Sequence, residues 1–142
     1  MRMLVALLAA GTAMAQTPGY KPKPDGTLKQ VMRSALWPNS NIIFEVQSKN
    51  PKNDKEWQTV ENAAIAIQGT ANVILQPGRL RSNGQPVPVQ AADYVKFAQA
   101  LVLAGGKCLK AAQTKNLDAI SNCTDLLSDA CDNCHNVYRD KP

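Results

Sequence analysis

The 142 residues, 44% of them hydrophobic, are enough for one domain with its own core, and one domain is what the length argues for. The formal net charge of +5, from 16 Lys and Arg against 11 Asp and Glu, is mild. With no arginine-rich run and no interleaved aromatic pattern it excludes a nucleic-acid-binding face, and it fits either ordinary solubility or encounters with acidic partners.

The chain opens as an export signal. Arg2 supplies a positive charge, residues 4–10 a short apolar run, and Ala13-Met14-Ala15 a small-x-small cleavage pattern, so residues 1–15 read as a signal peptide. That run is too short for a membrane anchor, which needs about 20 apolar residues, and no later stretch qualifies. Residues 16–26, with Pro18, Gly19, Pro22, Pro24 and Gly26, form a leader without regular helix. The mature protein is expected to be soluble and exported, in a bacterium to the periplasm, where disulfides persist.

Residues 27–142 read as the folded domain, with four amphipathic helices. Leu28, Val31, Met32, Ala35 and Leu36 recur at helical spacing and begin the first. Pro38 interrupts that pattern, and Ile42, Ile43, Phe44 and Val46 continue it beyond a kink to about Ser48. After a loop containing Pro51, Asn53 or Asp54 caps a second helix carrying Trp57, Val60, Ala64, Ile67, Ala71 and Ile74, which ends before Pro77-Gly78. Trp57 is better placed to fill the core than to shield a ligand. Residues 79–88, with Gly84, Pro86 and Pro88, read as a surface crossover.

A third helix spans about residues 91–114, with Tyr94, Val95, Phe97, Ala98 and Leu101 on its apolar face. Gly105-Gly106 in its middle costs about 1 kcal/mol per glycine relative to alanine, which points to close packing or a local bend. The fourth helix starts at the Asn116 cap and runs through Leu117, Ile120, Leu126, Leu127 and Ala130 to Tyr138. The pattern predicts an all-α fold, an antiparallel four-helix bundle. Cys108 and Cys123 each stand seven residues from the turn between the last two helices, two helical turns, which puts them face to face and within reach of a disulfide; the alternative is two buried thiols.

Cys131-Asp132-Asn133-Cys134-His135 carries the chemistry. Positions i, i+3 and i+4 share one helical face, and C-x-x-C-H is the attachment signature of a c-type haem: two thiols for the two porphyrin vinyls, one imidazole for the iron. A zinc site would need Cys108 and Cys123 to complete four ligands, since His135 is the only histidine. A thioredoxin-like redox pair would need a βαβ context and a helix that begins at the motif. The haem reading therefore leads, with one covalent haem c. In a chain without haem an empty cavity beside Cys131, Cys134 and His135 is its expected mark.

Residues 131–139, CDNCHNVYR at the end of a fourth helix, resemble the C-terminal motif of the cytochrome c prime family, and the helix count and order extend the resemblance loosely over the mature chain. The resemblance implies a haem between helices, held through His135, with the residue on the other face of the iron supplied by the first helix. Met32 is then the candidate sixth ligand, with Leu28, Val31 or Leu36 on the distal side if it is not. Family members often carry an arginine in the first helix near the haem propionates. Lys29 and Arg33 are the nearest bases here, and Pro38 departs from the pattern. Homodimers are frequent in that family. Tyr138 and Arg139, at i+3 and i+4 from His135, are placed to pack on the proximal side and to bring a charge near the haem.

The function expected is electron transfer through His135/Met32-ligated iron to redox partners in the same compartment. The alternative is a five-coordinate iron that binds nitric oxide or carbon monoxide. An enzyme is not expected, because no distal acid or base is evident once His135 is used.

Overall fold

A computed structural model describes residues 23–139. The expected signal peptide and most of the leader, up to residue 22, and the C-terminal residues 140–142 lie outside the described residues. Residues 23–27 are irregular up to Thr27, which opens α1 (residues 28–49) with a capping box. Its side chain accepts from Gln30 N–H at 3.3 Å, and Gln30 Oε1 accepts from Thr27 N–H at 2.7 Å.

The first helix continues past Pro38, as the sequence suggested, and ends at Lys49, but it does so by a π turn that the sequence did not reveal. The helix runs as Leu28–Val31, then widens into a π turn over Met32–Leu36, then returns to α geometry over Trp37–Lys49. The physical reason is the missing N–H and the bulk of the proline ring against the preceding turn. Trp37 N–H reaches back five residues to Met32 O, and the Asn39 side-chain amide donates to Ala35 O at 2.7 Å, so the turn before the proline keeps donors for its carbonyls. Asn50, at φ +46°, stops the helix in a left-handed cap with its N–H on Val46 O.

Helix α2, Asp54–Ile74, is capped by Asn53, whose side chain accepts from Glu56 N–H at 3.0 Å, and its first turn carries Asp54 and Glu56 where negative charge suits the helix dipole. The crossover 75–91 turns on Gly78 and Gly84, at φ +88° and +80°, and closes one isolated bridge between Leu80 and Pro86. Helix α3, Ala92–Gln113, passes straight through Gly105 and Gly106. A Cβ on Gly105 would stand 2.7 Å from Gln68 Cγ and 3.1 Å from Ala64 O, so this glycine lets α3 lie directly on α2. Helix α4, Leu117–Tyr138, is capped by Asn116, which accepts from Ala119 N–H at 2.9 Å.

The chain is all-helical, four helices packed as a bundle, with no strand among the described residues beyond the single bridge. α1 packs on α2 and α4, and α3 packs on the same two from the other side. Ile43, Ile67, Ile74, Ile120 and Leu127 are fully buried between them, each worth about 1.5–3 kcal/mol relative to exposure. Trp57 is buried in this core near the start of α2. No helix among the described residues is long and apolar enough to cross a membrane.

The packing of α1 on α4 comes from Trp37–Lys49. Leu28–Leu36 packs on α2 instead. One end of the bundle is tied by Leu28 N–H to Leu80 O at 2.8 Å, and that end also holds the start of α3 and the last turns of α4, joined by Tyr138 and Asp93.

Candidate functional site

Cys131, Cys134 and His135 lie on the last two turns of α4, in unbroken helix, so the three side chains share one face as the spacing requires. Both cysteines are free and half-buried, and His135 is exposed, its ring making no hydrogen bond among the described residues. The chain's other two cysteines are taken. Cys108 and Cys123 form a disulfide with 5.3 Å between Cα atoms, pinning α3 to α4 two turns from their connection.

That pairing removes the zinc reading, because two of its four ligands are no longer thiolates. Among the described residues no cluster of three or more His, Cys, Asp or Glu side chains is placed to hold a metal ion. Iron in a porphyrin needs no such cluster: the macrocycle brings four nitrogens, and one imidazole suffices from the protein.

The thioredoxin-like reading is disfavoured by the motif's place at the end of a helix, and the thiol electrostatics point the same way. Burial, then the charges of Asp132 and Cys134, push the Cys131 thiol up to about 11, and burial with Asp93 also raises Cys134. A nucleophilic redox cysteine is shifted the other way and opens a helix, whereas this motif closes one. Partial desolvation by its neighbours and the positive charge of Arg139 hold the exposed His135 below the usual imidazole range, against an opposing pull from Asp132. The neutral imidazole, the form that ligates metals, is thereby favoured.

The wall beside the motif is aromatic. Tyr138 stands edge-on to Tyr94, ring centroids 5.1 Å apart at 86°, and to Phe97 at 6.2 Å and 72°, while its hydroxyl donates to Asp93 Oδ1 at 2.7 Å. The Asp93 bond pushes the Tyr138 phenol up to about 12 and holds the Asp93 carboxyl below its usual range. Buried Tyr94 donates to Ile74 O at 3.3 Å, its phenol raised by burial and by its nearness to Cys134. Arg139, exposed, caps α4 with its N–H on His135 O.

Met32 begins the π turn and is half-buried against the core, with Leu28 and Val31 beside it in the same state. The structure does not bring Met32 against Cys131, Cys134 or His135. It places them on two walls at one end of the bundle, α1 leaning on α2 and α4 on α3. The empty cavity expected beside the motif is not seen among the described residues: two surface hollows lie elsewhere. One lies between α1 and α2 at Ile42, Val46 and Val60, the other between α3 and α4 at Lys107, Asn122 and Cys123.

Two residues at this end went unremarked in the sequence: Asp93, which accepts from Tyr138, and Arg79, which fell within the expected surface crossover yet is 2% exposed. The clustering of Arg79 and Arg81 between proline-containing segments was the only local signal.

Compared with known proteins, the chain matches no family model, no curated protein and no solved structure.

Proposed function

We propose that this is a c-type cytochrome resembling the cytochrome c prime family, which carries one covalent haem and transfers electrons. The observation that supports it best is the division of the four cysteines. Cys108 and Cys123 are locked together, while Cys131 and Cys134 stay free and half-buried on one helical face with the single histidine. Bound haem supplies a one-electron ferric/ferrous couple.

The chain's residues do the rest. The Cys131 and Cys134 thiols would hold the group by adding across its two vinyls, sulfur to one carbon and the thiol proton to the other, with no outside oxidant needed. His135, on the turn that also holds Cys134, would supply a neutral imidazole as the iron's ligand. Tyr94, Phe97 and Tyr138, packed edge to face beside the motif, would line one side of the bound group. Met32, half-buried on α1, would be the candidate thioether ligand. The disulfide supports export to an oxidising compartment, where acidic redox partners would meet the mildly basic surface.

The visible spectrum with and without carbon monoxide tests this. A low-spin spectrum indifferent to the gas, converted to a gas-sensitive high-spin spectrum by Met32→Ala, is expected. A high-spin, gas-responsive wild type would instead make the protein a gas binder.

A further inference from the structure

Asn83-Gly84 is the one place in the chain where glycine follows asparagine. With no Cβ on the second residue, its peptide nitrogen is open to the side-chain carbonyl carbon of the first. The pair is exposed in the crossover between α2 and α3, and nothing lies within 4 Å of where a Gly84 Cβ would stand.

The local fold presents the two reacting groups to each other. A tight hairpin closes over residues 81–85, with Arg81 N–H donating to Gln85 O at 2.7 Å, Gly84 N–H donating to Arg81 O at 3.1 Å, and Gly84 at φ +80°. Inside it Asn83 Oδ1 accepts from Gln85 N–H at 3.0 Å, which folds the side chain back along the chain past the Gly84 nitrogen. The same bond draws electron density toward Oδ1 and leaves Cγ more open to attack, as a positioned donor does at an oxyanion. The Gly84–Arg81 bond opposes the step by holding the proton that must leave. It spans an exposed turn tip, however, where backbone hydrogen bonds open readily.

We propose that Asn83 is a self-modification site, which converts spontaneously to aspartate and isoaspartate and so loosens the hold of the crossover on α1. The Gly84 nitrogen gives its proton to hydroxide and bonds to Asn83 Cγ, the Cγ–Nδ2 bond breaks, and ammonia leaves with a proton from water. Water then opens the cyclic imide, at Cγ to give aspartate or at the backbone carbonyl to give isoaspartate. The step needs no oxidant and is independent of the haem reading. Isoaspartate adds a methylene to the backbone within residues 81–85, which the hydrogen bonds of that turn cannot span unchanged. The adjoining residues carry the bond from Leu28 N–H to Leu80 O at 2.8 Å and those from Arg79 Nη1 to the carbonyls of Asp25 and Gly26, so the slack reaches the start of α1.

The test holds purified mature protein at physiological temperature over a series of mildly alkaline pH values. Peptide mapping reads residue 83 by mass, which rises by the difference between water and ammonia, and enzymatic methylation marks isoaspartate. Mapping also keeps apart Asp25-Gly26, which isomerises without a change of mass. Residue 83 is expected to convert ahead of every other asparagine, at a rate proportional to hydroxide, with isoaspartate among the products and no conversion in Asn83→Gln. Hydrogen exchange at the Leu28 amide becomes faster in the aged wild type and stays unchanged in equally aged Asn83→Gln. The same incubation in denaturant gives the rate for the open chain. A residue 83 that converts in denaturant but stays an amide in the folded protein overturns the proposal, since the Gly84–Arg81 bond then protects it. Conversion without faster exchange at Leu28 overturns the link to α1.

Discussion

The Tyr138 hydroxyl donates to Asp93 Oδ1 at 2.7 Å, joining the last turn of α4 to the first turn of α3 one helical turn beyond His135. With the Cys108–Cys123 disulfide two turns from the α3–α4 connection, it gives the pair of helices a fastening near each end. The imidazole and both thiols of the motif lie toward the hydrogen-bonded end, so that fastening governs how firmly they are presented.

The bond has an acid limit. Its donor holds the Asp93 carboxyl below the usual range, so the stabilisation is present above the unfolded pKa and is lost as pH falls through the lower folded value. Thermal melts from neutral to acid pH should show a component of the loss that vanishes in Tyr138→Phe and in Asp93→Asn. Retention of the full acid sensitivity in both variants would show that Asp93 is not its source.

The two adjacent glycines of α3 should behave oppositely. Gly105→Ala must displace Gln68 or the Ala64 carbonyl, and overpacking of this kind costs about 1–3 kcal/mol, more than the gain in helix propensity. Gly106→Ala meets nothing closer than Gln68 Oε1 at 3.6 Å and should stabilise by up to about 1 kcal/mol. Urea unfolding of the two variants checks the order, and equal effects would contradict the close approach at Gly105.

The disulfide closes a separation of 15 residues, and replacing both Cys108 and Cys123 with Ala should lower stability by about 3 kcal/mol on the chain-entropy account. Haem attachment should persist in that variant, because the two sulfurs are not those of the motif. Its loss would mean that Cys108 and Cys123 take part in the site after all.

Pro38→Ala restores a backbone donor and removes the reason for the π turn. Reversion to α geometry would rotate Leu28–Val31 by about 100°, one residue's step, relative to Trp37–Lys49. If Met32 ligates the iron, the visible spectrum should lose low-spin character. An unchanged spectrum would separate ligation from the π turn.

The sequence announced what depends on neighbours a few residues away. Asn53 and Asn116 marked two helix starts because a cap is a local hydrogen bond, and Cys131, Cys134 and His135 could be placed together because one helix carries all three. That the first helix outlasts Pro38 was legible, but the π turn was not, because widening by one residue depends on whether Trp37 N–H and the Asn39 amide can serve the stranded carbonyls. The α1 wall inherits that uncertainty of register, so Met32 could be named while its position could not. Arg79 escaped notice because its burial comes from the segment before α1 folding over a crossover more than fifty residues later, and composition marks such a crossover only as surface.

The central claim is a covalent one, and the intact mass of the mature protein, exported by a host able to assemble c-type cytochromes, tests it most directly. The account predicts the polypeptide without residues 1–15 plus one haem, reduced to the bare polypeptide when Cys131 and Cys134 are both replaced by Ala. A wild-type chain of unmodified mass from such a host would contradict it.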